Sequence, residues 1–157
     1  MSTVNFHKVI PGLFIGDSAS SSSLDFLVDK NISRILICAR ELRPNFPKDF
    51  KYHKLGIQDM KRFDLSPYLE EALLFIKTAL DIGENVLVHC NLGISRSSSI
   101  VIAYLIAQCG MTYDKAFKHL SKYHPSACPN SGFECQLRLF ESNHKALKKD
   151  SCMCLIM

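Results

Sequence analysis

The central sequence of this chain is His89-Cys90-Asn91-Leu92-Gly93-Ile94-Ser95-Arg96-Ser97. The run Asn85–His89 that leads into it is short and apolar and follows turn residues, which indicates a buried strand. Residues 100–107, which follow it, are apolar on every side, as is typical of a central buried helix. The sequence therefore predicts a loop between a strand and a helix, with Cys90 at its start and Arg96 at its end.

The residue types in this loop suit a tetrahedral phosphate dianion. The positive end of the helix dipole lowers the pKa of a nearby cysteine and so favours the nucleophilic thiolate of Cys90. Successive backbone N–H groups can curl around an anion, and the Arg96 guanidinium can grip two phosphate oxygens. The predicted phosphate-binding positions are Asn91, Leu92, Gly93, Ile94, Ser95 and Arg96. This combination predicts hydrolysis of a phosphate ester through a phosphocysteine.

Three further residues make the pattern specific, because a cysteine and an arginine at this spacing are a weak signal alone. Gly93 allows backbone geometry that other residues resist. His89 can orient the loop through hydrogen bonds, and Ser97 can donate a hydrogen bond to the departing thiolate. The Walker phosphate loop does not fit, because no Gly-Lys-Ser/Thr ending is present.

The composition bounds the class of protein. A chain of 157 residues with 47% apolar and 22% charged residues is typical of one soluble globular domain. The net charge of +4 fits an anionic substrate or surface, or simply a solvated face. We expect no nucleic-acid partner, since basic residues do not interleave with aromatic ones. We also expect neither a membrane-spanning run nor a secretory signal.

The seven cysteines predict neither a disulfide framework nor a metal site. A chain without a secretory signal is expected in a reducing compartment, and its cysteines and histidines lack zinc-ligand spacing. No metal or cofactor is therefore expected. Cys38 can act as a redox partner of Cys90 only if the two residues lie close together.

Strand-like and helix-like runs alternate along the chain. The predicted strands are two pieces within residues 4–15 around Pro11-Gly12, then residues 34–38, 52–57 and 85–89. The predicted helices cover residues 24–30, 64–83, a stretch through 100–107 that ends at Gly110, 112–124, and a last helix from 130 towards 149. This alternation predicts an α/β layer architecture.

The loop resembles the His-Cys-x5-Arg-Ser/Thr signature of the protein tyrosine phosphatases, and more closely that of the dual-specificity phosphatases. The resemblance covers nearly the whole chain, including residues 9–16, residues 32–36 and Pro129-Asn130-Ser131-Gly132-Phe133. It implies a mixed, mostly parallel sheet of about five strands with helices on both faces. It also implies a catalytic domain over residues 1–147, followed by a flexible tail over 148–157.

The resemblance implies a general acid on a loop upstream of the helix that precedes the signature. Asp59 and Asp64 are the candidates. Asp59 matches the family's acid, which lies five residues before the helix cap, whereas a capping role explains Asp64. Asn130 is expected to tie the catalytic loop to its surroundings, and a helix N-cap is an equally good interpretation of it.

The resemblance implies an enzyme that acts on phosphoprotein substrates through a shallow pocket, because the aromatic clamp of tyrosine-specific relatives is not evident. We expect it to be a monomer. The uncharged loop positions argue against an inositol-lipid substrate. An RNA 5′-phosphate substrate and a non-catalytic phosphoprotein-binding module stay open. The chain also departs from the family pattern. Leu92 stands where alanine is common, and His124-Pro125 stands where an arginine-proline pair is common.

The chain ends in Cys154-Leu155-Ile156-Met157, which matches a C-a-a-X prenylation box in which methionine favours farnesyl. One prenyl chain anchors weakly, so basic residues at 145, 148 and 149 and a palmitoyl group on Cys152 would supply the second signal. The sequence thus predicts a cytoplasmic protein that associates peripherally with a membrane through farnesyl at Cys154. A frayed apolar tail is the alternative interpretation.

Overall fold

The computed structural model describes residues 5–154, in which strands and helices alternate as the sequence predicts. The strands are β1 (Phe6–Ile10), β2 (Leu13–Gly16), β3 (Ile32–Ile37), β4 (Lys51–Lys54) and β5 (Asn85–His89). The helices are α1 (Ser18–Ser21), α2 (Leu24–Asp29), α3 (Ser66–Asp81), α4 (Arg96–Cys109), α5 (Tyr113–Tyr123) and α6 (Ser131–Cys154). None of these helices is long and apolar enough to cross a bilayer.

The five strands form one mixed sheet in the order β1-β2-β5-β3-β4. Only β1 is antiparallel to its neighbour, and the other adjacent pairs run parallel. The predicted mixed, mostly parallel sheet is therefore confirmed. Strand β5 is central, and Cys90 follows it directly at the edge where the carboxyl ends of β2, β3 and β5 meet. Open α/β sheets bind their ligands at this edge.

Helices cover both faces of the sheet, as predicted. The larger core lies between one face and α3, α4, α5 and α6, and it includes Val88, Ile100 and Phe133. The smaller core lies on the other face, where α2 contributes Leu27. Residues 96–107 of α4 are all buried, which confirms the interpretation of this helix as central. Gly110 ends it with a φ of 67°, a left-handed conformation that glycine adopts without strain.

Three elements differ from the sequence prediction. Helix α6 ends at Cys154 and so extends beyond residue 149, into the residues that were expected to form a flexible tail. Strand β4 ends at Lys54, three residues earlier than predicted, because the Ile57 N–H donates to the Leu55 carbonyl at 2.8 Å and the chain turns there. Leu55 and Ile57 are buried all the same, which explains their apolar pattern. Helix α1 was not predicted. It forms because the Asp17 carboxylate accepts a hydrogen bond from the Ser20 backbone N–H at 2.8 Å while the Ser20 hydroxyl accepts one from the Asp17 N–H.

Candidate active site

The thiol of Cys90 lies at the base of the loop, next to the first turn of α4. Cys90 is 2% exposed, and its Sγ lies 3.1 Å from the hydroxyl oxygen of Ser97, which is fully buried. Helix α4 begins at Arg96, so its positive N-terminal end faces the thiol. The structure therefore brings together the predicted nucleophile and the hydroxyl that was predicted to assist its departure.

The backbone of the loop is fixed from outside by hydrogen bonds to four successive carbonyls. The donors are the Ser18 N–H to Asn91 O (3.0 Å), the Asn5 amide to Leu92 O (3.4 Å), His124 Nε2 to Gly93 O (2.6 Å) and the Cys128 N–H to Ile94 O (2.8 Å). In a trans peptide the carbonyl and the following N–H point in opposite directions. Because these carbonyls point outwards, the N–H groups of residues 92–95 face the inside of the loop, where they can donate to an anion.

Gly93 is required at the tightest point of the loop. Its φ is 70°, and a Cβ at this position would lie 3.0 Å from the Gly16 carbonyl oxygen and 3.2 Å from the Asn5 amide nitrogen. Both the backbone conformation and the available space therefore favour glycine. This agrees with the role that the sequence predicts.

Arg96 is buried, and one edge of its guanidinium is already held by a carboxylate. Nη1 and Nη2 donate to the two oxygens of Glu41 at 2.8 and 2.6 Å, and Nη1 also donates to the Ile57 carbonyl at 3.2 Å. The hydrogen bond to Glu41 raises the pKa of Arg96 and lowers that of Glu41. The Nε–H and the second Nη2–H stay available as a bidentate edge for phosphate.

Glu41 is a functional residue that the sequence interpretation missed. It follows β3, and the parallel pairing of β3 with β5 brings it to the edge where Arg96 lies. The available signal was an acidic residue just beyond a buried strand, but such residues are common in loops. Only the neighbouring position of the two strands in the sheet identifies its partner.

Asp59 lies on the exposed loop between β4 and α3 and is held by Asn130. The side-chain amide of Asn130 donates to Asp59 Oδ1 at 2.9 Å, and the Asn130 backbone N–H donates to the Ser95 hydroxyl at 2.9 Å. The Asn130 side-chain oxygen also accepts from the Phe133 N–H at 2.9 Å. Asn130 therefore both caps α6 and joins the catalytic loop to Asp59, so the two interpretations of it are compatible.

Asp64 has a structural role, as the sequence favoured, but it lies one residue before the N-cap of α3. Helix α3 begins at Ser66 and its N-cap residue is Leu65, which makes no side-chain capping bond. Asp64 instead accepts a hydrogen bond from the Ser66 backbone N–H at 3.0 Å. The Ser66 hydroxyl and this N–H together lower the pKa of its carboxyl group. The bond explains Asp64 without a catalytic role.

Two other residues border the nucleophile. His89 is buried, its Nδ1 lies 3.3 Å from the Cys90 carbonyl oxygen, and burial lowers its pKa to about 4, so its ring is neutral. Cys38 follows β3, and its N–H donates to the His89 carbonyl at 2.8 Å. The structure thus places Cys38 near Cys90, just beyond the end of the neighbouring strand, and burial raises the pKa of its thiol.

Three apolar side chains are exposed at the rim of the loop. Leu92 is 64% exposed and Ile94 is 37% exposed, and Met60, which follows Asp59, is 54% exposed. The backbone of Leu92 helps to fix the loop, whereas its side chain is available to a bound molecule.

Comparisons with known proteins agree with this geometry. A family model described as the dual specificity phosphatase catalytic domain matches residues 13–143. The chain is similar to Dual specificity protein phosphatase 1B of Arabidopsis thaliana, with 42% identity over 136 residues that cover 87% of this chain and 81% of that protein. It is also similar to Dual specificity protein phosphatase 1 of the same plant, with 40% identity over 132 residues that cover 84% of this chain and 67% of that protein. A crystal structure of a mouse putative dual specificity phosphatase complexed with zinc tungstate matches with a TM-score of 0.89 at 28% identity and covers 94% of this chain and 92% of that one.

Proposed function

The chain belongs to the dual specificity phosphatase family, and from this premise we propose that it hydrolyses phosphotyrosine, phosphoserine and phosphothreonine esters in proteins through a phosphocysteine at Cys90. The observation that carries the proposal is the position of the Cys90 thiol. It lies 3.1 Å from the Ser97 hydroxyl, at the base of a loop whose carbonyls at residues 91–94 accept hydrogen bonds from outside the loop. Such an arrangement provides an attacking sulfur and an oxyanion site at one place.

In the first step the phosphoryl group lies inside the loop, held by backbone N–H groups and by the free edge of Arg96. The Cys90 thiolate attacks phosphorus, so an S–P bond forms as the P–O bond to the leaving group breaks. Asp59 gives its proton to the leaving oxygen. Asn130 holds one oxygen of Asp59, which leaves the other oxygen for this transfer. Arg96 stabilises the charge that spreads over the equatorial oxygens.

In the second step water hydrolyses the phosphocysteine. The Asp59 carboxylate takes a proton from the attacking water, an O–P bond forms and the S–P bond breaks. The sulfur leaves as a thiolate that accepts a hydrogen bond from the Ser97 hydroxyl. The products are inorganic phosphate and the regenerated enzyme. These steps need no metal or cofactor.

The rim supports phosphoprotein substrates over the two other classes. Leu92, Ile94 and Met60 carry no charge that would bind the additional phosphates of an inositol lipid or of an RNA chain. The decisive experiment compares phosphopeptides, inositol lipids and RNA 5′-phosphate ends in parallel. We expect turnover of the phosphopeptides and its loss in Cys90→Ser, with substrate binding retained.

Other outcomes of this panel would contradict the proposal. Preference for a lipid or an RNA end would reassign the substrate. Binding of phosphopeptides without turnover by the wild-type protein would make the domain a binding module. Near wild-type activity of Cys90→Ser would refute the mechanism itself.

For the C-terminal sequence we propose a second function, peripheral attachment of a monomeric, cytoplasmic enzyme to a membrane through farnesyl at Cys154. The support is the sequence of the last four residues, of which 155–157 lie outside the described part of the chain. We expect Cys154→Ser to move the protein from the membrane fraction to the soluble fraction of cells, whereas Cys135→Ser should not. An unmodified mass of the wild-type cellular protein would contradict this proposal.

A further inference from the structure

His124 is a buried histidine whose two ring nitrogens both have close partners. It follows the last turn of α5 and has no exposed surface. Its Nε2 lies 2.6 Å from the Gly93 carbonyl oxygen, and its Nδ1 lies 2.8 Å from Nδ1 of His7 on β1. This histidine therefore joins the first strand of the sheet to the catalytic loop.

The chemistry of these partners determines where the protons are. A carbonyl oxygen only accepts hydrogen bonds, so the proton of neutral His124 is on Nε2 and its Nδ1 carries a lone pair. The close contact with His7 then requires that His7 donates from its own Nδ1–H. The Ser126 hydroxyl, 3.2 Å from the same Nε2, accepts a hydrogen bond from the Asn5 amide at 3.1 Å.

The hydrogen bond from His124 to the Gly93 carbonyl sets the direction of the Ile94 N–H, which is one of the anion-binding groups. Because the Gly93 carbonyl points at His124, the N–H of Ile94 points into the loop. Among the four bonds that hold the loop carbonyls from outside, this one is the shortest, and only here is the donor a titratable side chain. A change of its protonation therefore acts directly on the phosphate site.

We propose that His124 is a positioning residue for phosphate binding and that, with His7, it makes the loop sensitive to acid. This inference rests on the proposed phosphatase function and deepens it. The Nε2 atom of neutral His124 already carries a proton. A second proton must go to Nδ1 of His124, where two N–H groups would then face each other at 2.8 Å. The bond between the rings is then lost, and the repulsion between the two N–H groups moves the His124 ring away from the Gly93 carbonyl.

The surroundings of His124 set the pH range of this change. The charged and titratable groups that face it are His7 on β1 and Asp17 after β2. Burial lowers the pKa of His124 and the neighbouring His7 lowers it further, whereas the Gly93 carbonyl and Asp17 act in the opposite direction. The hold on the loop should therefore persist at neutral pH and fail below the ordinary histidine range near 6.5.

The test measures anion binding rather than turnover, in full-length Cys90→Ser protein. Sulfate is a suitable probe because it stays a dianion between pH 7.5 and 5.0. We expect sulfate to bind at least threefold more weakly at pH 5.0 than at pH 7.5. The sign is informative, since added positive charge near an anion site ordinarily tightens binding.

Matched variants in the same Cys90→Ser background separate the roles of the two rings. His124→Gln keeps a donor near Gly93 that does not titrate, so its sulfate affinity should vary little with pH. His7→Asn keeps an uncharged donor to His124, and the loss of affinity should move to higher pH. His119→Gln is the control, because His119 lies on α5, the helix that His124 follows, and bonds to the Val9 carbonyl of β1 rather than to the loop.

The outcomes distinguish this inference from the proposed function. Sulfate affinity that is constant or rises towards pH 5.0, or a pH dependence that His124→Gln retains, overturns the role of His124 alone. Absence of sulfate binding at every pH overturns both this inference and the phosphate site itself.

Discussion

Replacing Gly132 by alanine should damage proton transfer and leave phosphate binding intact. Gly132 lies in the first turn of α6, where the backbone of Lys61 passes very close. A Cβ at position 132 would lie 1.9 Å from the Lys61 carbonyl oxygen, 2.6 Å from its carbonyl carbon and 2.8 Å from its Cα. These are backbone atoms, so no side chain can move aside to relieve the contact.

The magnitude follows from these distances. Real Cβ contacts are essentially never shorter than 3.0 Å, so the loop must move by at least about 1.1 Å from its present 1.9 Å. Asp59 lies two residues from Lys61, and its 2.9 Å bond to Asn130 connects the same two segments. A displacement of about 1 Å in a reacting group can cost roughly 100-fold in rate. We expect kcat to fall by about that factor, with about 1–3 kcal/mol of lost stability.

The assay measures kcat for an alkyl phosphate and for an activated aryl phosphate, in Gly132→Ala and in a matched control variant. An alkyl phosphate needs the general acid more than an activated aryl phosphate does, so its kcat should fall further. Sulfate inhibition should change by less than about threefold, because the anion site is untouched. Gly56→Ala is the control, since it lies in the same loop with open space at its Cβ. A folded Gly132→Ala protein with wild-type kcat on the alkyl phosphate would refute the reasoning.

Two further predictions concern His89 and Glu41. Burial lowers the pKa of His89 to about 4, so the unfolded chain takes up its proton near pH 6.5 before the folded protein does. Its contribution to stability is complete above about pH 6.5 and is lost as the pH falls towards 4, by roughly 3 kcal/mol in all. Urea unfolding should show a free energy of unfolding that falls between pH 6.5 and 4 in the wild type and falls less steeply in His89→Gln. An equal pH dependence in the two proteins would contradict the assignment. Glu41→Ala should lower kcat/KM for an aryl phosphate by roughly tenfold through loss of a charged hydrogen bond that orients Arg96, while Glu70→Ala should change little. Equal kinetics of the two variants would show that Arg96 needs no such support.

The features that the sequence predicted well are local ones. Cys90, Arg96 and Ser97 are near neighbours in the chain, and the strand and helix that flank them have clear apolar patterns. Their arrangement therefore follows from the loop between β5 and α4. The prediction for Asp64 was also local, and it differed from the structure only in the position of the capping bond.

The features that the sequence did not predict come from pairs that are distant in the chain. The support of Arg96 by Glu41 depends on the order of β3 and β5 in the sheet. The four donors outside the loop belong to separate segments before β1, after β2 and after α5. Gly132 gave no signal, because its closeness to Lys61 exists only once α6 has packed. In each case the tertiary arrangement, and not the local residue pattern, creates the interaction.

The most direct test of the central claim is to trap the phosphocysteine. Ser97→Ala removes the hydroxyl that lies 3.1 Å from the Cys90 sulfur, which should slow the second step more than the first. Acid quenching of this variant during turnover, followed by mass spectrometry, should find one added phosphoryl group on the peptide that contains Cys90. Turnover by Ser97→Ala with no phosphoryl group on Cys90, together with undiminished turnover by Cys90→Ser, would contradict the claim.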